Sequence, residues 1–185
     1  MNALDLLTEQ HEEVDALIQR IEATDGEAKE LLFQELADKV AAHAKIEEKI
    51  FYPAVMAKQT EEIILESVEE HLSIKRVLAD MMQLSVASDE FDAKLSVMKE
   101  QVTHHAREEE EGELFPKVRK ALSRTDLTDI GEQLAAAKKI APTRPHPRSP
   151  DTPPGNVVAT ALTAPLDAAA KVAGRAADKV RSTVR

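Results

Sequence analysis

Two segments of the chain place a histidine four residues ahead of a glutamate inside an apolar helical pattern. They are His43 and Glu47 in VAAHAKIEEKIFYP, residues 40–53, and His105 and Glu109 in VTHHAREEEEGELFP, residues 102–116. On a helix such a pair sits on adjacent turns with Cβ atoms about 6 Å apart, so imidazole and carboxylate can reach a common ion. Leu36, Val40, His43, Glu47 and Ile50 advance by three and four, as do Leu95, Met98, Val102, His105, Glu109 and Gly112. Both pairs therefore lie on stripes that face a core. His104 and Glu108 have the same separation but run in line with Val97 and Glu100, a more polar row, and are assigned to the flank.

Two further histidines fall on inner stripes: His11 among Leu4, Leu7, Val14, Ile18 and Ile21, and His71 among Ile64, Val68, Ile74 or Lys75, Leu78 and Met82. Burying four imidazoles and two carboxylates without a cation would cost several kcal/mol for each unpaired charge. A bound metal offsets that cost. With no cysteine in the chain, any metal must be held by nitrogen and oxygen. Six such ligands disfavour a structural zinc site, and two carboxylates able to bridge suggest a pair of ions. Iron fits best, with manganese as the alternative, whereas magnesium and calcium seldom use this much imidazole. Each ion would keep a coordination position for solvent or a small ligand.

The elements that must position these groups are helices. The first is expected from about Asn2, a cap, to Ala23, followed by a turn at Thr24-Asp25-Gly26 and a second helix from Glu27 to a stop or kink at Pro53. Thr60 with Glu61 and Glu62 opens the third. The fourth runs from about Asp89 past Glu111, loosened by Gly112 and Pro116 before Lys117 to Leu122, and a shorter helix follows at Leu127 to Ile140. Long helices joined by short turns predict an all-α, up-down-up-down four-helix bundle. His11, His43, His71 and His105 are 32, 28 and 34 residues apart, one helix plus one turn each time.

Six prolines between Pro142 and Pro154 mark residues 142–156 as a linker. The expected divisions are a bundle at 1–122, an accessory helix at 123–141, the linker, and a basic, alanine-rich tail at 157–185. Up to Ala141 there are 17 Lys and Arg against 31 Asp and Glu, and beyond it 7 against 3, so −14 and +4 make up the net −10. The acidic body argues against nucleic-acid binding by the folded domain. The tail is read as a segment of helical propensity, with docking on a membrane surface or a protein partner as the alternative. The first residues lack the basic start and apolar run of a signal peptide, and no window approaches the roughly 18–20 apolar residues of a membrane span. A cytoplasmic protein is expected.

The order H, HxxxE, H, HxxxE, here His11, His43-Glu47, His71 and His105-Glu109, with the endings EEKIFYP and EEEEGELFP, resembles the hemerythrin-like family, also called HHE cation-binding domains. The similarity covers roughly residues 1–122. It implies a four-helix bundle around a non-haem di-iron centre, with the four histidines as terminal ligands and Glu47 and Glu109 bridging. Oxygen-carrying hemerythrins have a second histidine on the third helix and an aspartate on the fourth, where this chain offers Lys75 and Glu109. That departure argues against reversible oxygen carriage. The pattern is nearer to bacterial members associated with iron binding, oxygen or nitric oxide responses, peroxide chemistry and repair of iron centres, although the cysteine motif of some repair proteins is absent.

Tyr52, the single tyrosine, ends the first motif. A regular helix would turn it about 140° from Glu47, so its readings are a site residue or core and rim packing. The functional expectation is a protein that binds oxygen, nitric oxide or peroxide at an open iron position as sensor, scavenger or low-turnover redox protein. The rivals are a dedicated nitric oxide or peroxide oxidoreductase, an iron-storage or iron-centre repair protein, and a metal-free interaction bundle.

Overall fold

The computed structural model describes residues 1–138, all of its regular elements helical. The linker at 142–156, the tail and the end of the accessory helix lie outside the described residues. Four long helices form the bundle: α1 (Ala3–Glu22), α2 (Gly26–Ile46), α4 (Glu61–Met81) and α5 (Asp89–Thr103). Short elements complete it: α3 (Tyr52–Val55), α6 (Phe115–Ala121) and α7 (Arg124–Lys138). The helix α1 packs against α2 and α5, and α4 against the same two, which closes a ring of four.

Local chemistry sets the ends. The Asn2 carboxamide accepts the Asp5 amide at 3.1 Å, and Ser88 accepts that of Phe91 at 3.2 Å, each satisfying an otherwise orphaned first-turn donor. Gly26 has φ +63°, which a side chain would disfavour. Thr60 departs from the expected cap. Its hydroxyl accepts the Ala57 amide and donates to the Val55 carbonyl, closing the α3–α4 turn instead of capping α4.

On α4 the inner stripe also differs from expectation. Val68 and Met82 are exposed, and Ser67 and Met81 take the buried places beside Ile64, His71, Ile74 and Leu78. The α7 helix is part of the core: Leu127, Ile130 and Leu134 pack with Leu4, Leu7 and Phe115. Gly131 permits the approach, since a Cβ there would meet the Met1 carbonyl at 2.6 Å and the Ala3 nitrogen at 2.8 Å.

Two π-helical segments interrupt the helices, Glu47–Phe51 after α2 and His104–Leu114 after α5. Each ends two residues before a proline, Pro53 or Pro116. A proline donates no backbone hydrogen bond and crowds the carbonyl four residues back, so the turn before it is widened. Gly112 eases the longer segment, because a Cβ there would stand 3.1 Å from the Arg107 carbonyl. Widened turns of this kind are frequent at functional sites.

The apolar core is split in two. One cluster joins the start of α1 to Ile50, Phe51, Leu114, Phe115 and α7, and the other joins Val14–Ile21, Leu32–Val40, Ile74–Met81 and Phe91–Val102. A buried histidine separates the two on α1, α2 and α4, and in the π-helical segment that continues α5, so the polar groups form one layer across the bundle.

Candidate metal centre

His11, His43, His71 and His105 are each less than 9% exposed and turn their Nε2 atoms to the bundle axis. Their Nδ1 atoms point outward, each to an oxygen: His11 to Glu111 at 2.7 Å, His43 to Gln10 at 3.1 Å, His71 to Glu48 at 3.1 Å and His105 to Glu70 at 2.9 Å. An oxygen partner requires the proton on Nδ1, which leaves a lone pair on Nε2 in the neutral ring. Such outer partners orient the ring and raise its basicity as a ligand.

The consequence is two opposed pairs of lone pairs, with His11 and His43 Nε2 3.1 Å apart and His71 and His105 Nε2 3.0 Å apart. Left alone they repel. Two nitrogens each about 2.1 Å from one ion, at right angles to it, lie about 3 Å from each other, so the spacing fits a metal shared by each pair.

Two carboxylates complete the layer, and the second is not the expected one. Glu47 is fully buried, with Oε2 3.2 Å from His43 Nε2 and 3.3 Å from His71 Nε2, and neither of its oxygens has a hydrogen-bond partner. Its counterpart is Glu110, also fully buried, with Oε2 3.2 Å from His11 Nε2 and 3.9 Å from His105 Nε2. Glu109, assigned to this place by an i,i+4 spacing, stands outside the layer. Its Oε1 is 3.4 Å from Nε2 of the exposed His104, in a group that includes Glu70. The physical reason is the π-helical segment that begins at His104. Its extra residue per turn makes i+5, not i+4, the position that shares the face of His105. His104 and Glu108 lie on the flank as the pattern predicts, 3.0 Å apart and solvent-facing. Gly112 and Pro116 were the signals for the shifted register, and the run Glu108–Glu111 offered a carboxylate at every phase.

The other π-helical segment moves Tyr52 toward the layer. Its hydroxyl donates to Glu110 Oε1 at 3.0 Å and lies 3.5 Å from His71 Nε2. Tyr52 is therefore both core and site wall.

Without a cation the layer is electrostatically unbalanced. Burial, reinforced by the charge of Glu110, pushes Glu47 well above the usual carboxylate range. Burial acts the same way on Glu110, but the contact with His11 and the charges of His105 and His43 outweigh it and hold Glu110 low. Burial drives His43 well below its ordinary value, aided by His11, and lowers His71 against the pull of Glu48. For His11 burial is overcome by Glu110 and Glu111, which raise it. Tyr52 is pushed up by burial and by both carboxylates, and stays a protonated phenol. His43 and His71, held toward the neutral form, and Glu47, with no donor on either oxygen, offer the kind of donor atoms a di- or trivalent ion requires.

Within the layer two groups of ligand atoms each lie within 4.8 Å of one another: His11, His43, Glu47 and Glu110, and Glu47, His71 and His105. Glu47 belongs to both, and Glu110 reaches from the first toward the second. The residues present fit a pair of metal ions.

The model of the hemerythrin HHE cation-binding domain matches residues 2–118. An uncharacterized hemerythrin-like protein of Schizosaccharomyces pombe is 28% identical over 131 residues, 69% of this chain and 64% of the relative. A DNA nickase of Nostoc is 27% identical over 139 residues, 75% of this chain and 39% of the relative. The alignments thus span less than two thirds of the length of these curated relatives. The crystal structure of a hemerythrin HHE cation-binding domain-containing protein from Mycobacterium kansasii superposes with a TM-score of 0.67 at 22% identity, covering 95% of this chain and 99% of that one. Among the described residues no helix is long and apolar enough to cross a membrane.

Proposed function

This chain belongs to the hemerythrin HHE cation-binding family, and from that membership and the layer's geometry we propose that it is a non-haem di-iron protein that binds oxygen, nitric oxide or peroxide at an open iron position. In this proposal His11 and His43 would hold one ion and His71 and His105 the other, with Glu47 and Glu110 available to both; manganese is the alternative metal. The protein acts as a sensor, scavenger or low-turnover redox protein in the cytoplasm.

The observation that carries the reading is the single buried layer of four inward Nε2 atoms and two carboxylates, with both Glu47 oxygens lacking any donor. When bound, the metals would supply redox equivalents and a Lewis-acid position for a small ligand. The chain's own groups do the rest. Glu111, Gln10, Glu48 and Glu70 fix the ring orientations, and the two apolar clusters flank the layer on either side.

Tyr52 favours a second reading, a dedicated oxidoreductase that reduces nitric oxide or peroxide. Its phenol is a proton donor held 3.0 Å from Glu110 and 3.5 Å from His71. Nickase activity is not carried over: the alignment spans 39% of that relative, and the acidic charge of residues 1–141 opposes contact with phosphates.

The test is optical. Visible spectra of iron-loaded protein should change on adding oxygen, nitric oxide or peroxide, and stopped-flow consumption over many turnovers would favour the oxidoreductase. Spectra that none of the three ligands alters would refute ligand binding.

A further inference from the structure

A largely enclosed cavity lies against the histidine layer, on the side of the second apolar cluster. Val14, Val40, Ala44, Ile74, Val102 and Ala106 form its walls, and the four site histidines also line it. Its free space for a water-sized body is about 20 Å³, room for about one water, which needs roughly 10–15 Å³ on that measure. Lys75 is the one ammonium among the lining residues. Its Nζ is held 2.7 Å from Glu48 Oε1, the same oxygen that lies 3.1 Å from His71 Nδ1. Lys75 and Glu48 are both partly exposed, at 29% and 20%, so Lys75 reaches from the cavity lining to solvent.

We propose that Lys75 is a specificity-determining residue: paired with Glu48 at the edge of the cavity over the histidines, it favours small monovalent anions over neutral diatomic molecules as ligands of the centre. The proposal rests on the di-iron reading above and names the ligand class of the same site.

Charge at an apolar wall sets the difference between the two ligand classes. A neutral diatomic crosses the valine and alanine lining whatever stands at the edge. An anion must leave water for a low-dielectric cavity, where a nearby ammonium is worth far more than in solvent. Lysine carries its charge on a flexible stem, so it can lean from Glu48 toward an arriving anion without breaking the fold. Removing Lys75 acts twice on an anion. The cation is lost, and the Glu48 carboxylate keeps its charge with no ammonium against it.

The test uses the full chain loaded with iron, with azide as the anionic probe and nitric oxide as the neutral one, after iron per chain has been measured. Lys75→Met is expected to weaken azide binding to the ferric protein by about tenfold, read from visible titrations, and to leave nitric oxide affinity of the ferrous protein within about twofold. Lys75→Arg, which keeps the charge, should retain azide affinity within about threefold. Azide affinity unchanged in Lys75→Met at full iron load would overturn the proposal, as would equal losses for azide and nitric oxide. Lys75→Gln keeps a donor for Glu48 without the charge and serves where Lys75→Met fails to fold. If both neutral variants fold but lose iron, Lys75 is a support for His71 and the proposal falls. Failure of the unsubstituted protein to hold iron would instead refute the di-iron reading itself.

Discussion

Replacing Glu110 or its neighbour Glu109 by alanine separates the observed register from a regular helix. Alanine is the best helix former, so neither change weakens the backbone. Glu110 is fully buried, accepts the Tyr52 hydroxyl and lies 3.2 Å from His11 Nε2. Truncating it leaves a buried phenol without that acceptor and a void beside it, together worth about 2–3 kcal/mol. At about 2–4 °C per kcal/mol for a chain of this size, the melting temperature should fall by about 4–12 °C. The ion that Glu110 would share with His11 and His43 should be lost. Glu109 is half-buried, with Oε2 lacking a hydrogen bond and Oε1 facing the exposed His104, so Glu109→Ala at pH 5 should change stability by no more than about 1 kcal/mol. The assay is metal analysis of iron-grown protein alongside calorimetry. Two irons in Glu109→Ala and at most one in Glu110→Ala is the expected result. The reverse would show that the widened turn does not set the ligand.

Further outcomes follow from the same geometry. Gln10→Ala removes the one acceptor at His43 Nδ1 and should lower metal affinity by about 10–100-fold without unfolding the chain, measured by chelator competition; unchanged affinity would remove Gln10 from the site. The Glu109 carboxyl is raised to about 8 by burial and by Glu70. Between its unfolded value near 4.5 and 8 the native state therefore holds a proton that the unfolded chain has released, and this group's contribution to stability falls as pH rises. Metal-free Glu109→Gln should accordingly gain in melting temperature on the parent from pH 5 to 8, and parallel curves would contradict this. Gly131→Ala drives a Cβ into the backbone of residues 1–3 and should cost about 1–3 kcal/mol while leaving iron content unchanged; loss of iron would show that α7 supports the centre as well as the core.

Much of this was legible because a helical stripe is a repeating pattern. His11, His43, His71 and His105 each replace an apolar residue on such a stripe, so their inward direction could be read before any coordinates. The His43–Glu47 pair survived because the widened turn starts only at Glu47. The His105 pair did not, because its turn opens at His104 and inserts a residue between ligand and ligand. A proline and a glycine announce that a helix is disturbed; how far upstream the disturbance runs depends on packing that no local pattern encodes. The two readings of Tyr52, site residue or packing, could not be separated for the same reason. The outer acceptors Gln10, Glu48, Glu70 and Glu111 were unreadable for another: each acts across helices, and in sequence they look like any other solvated acid or amide.

The central claim is that cations make this buried polar layer tolerable. Metal analysis of iron-grown protein tests it most directly, with Glu47→Ala in parallel, since Glu47 belongs to both groups of ligand atoms. Two irons per chain in the parent and loss of the pair in the variant are expected. One iron or none in the parent, or two retained without Glu47, would contradict it.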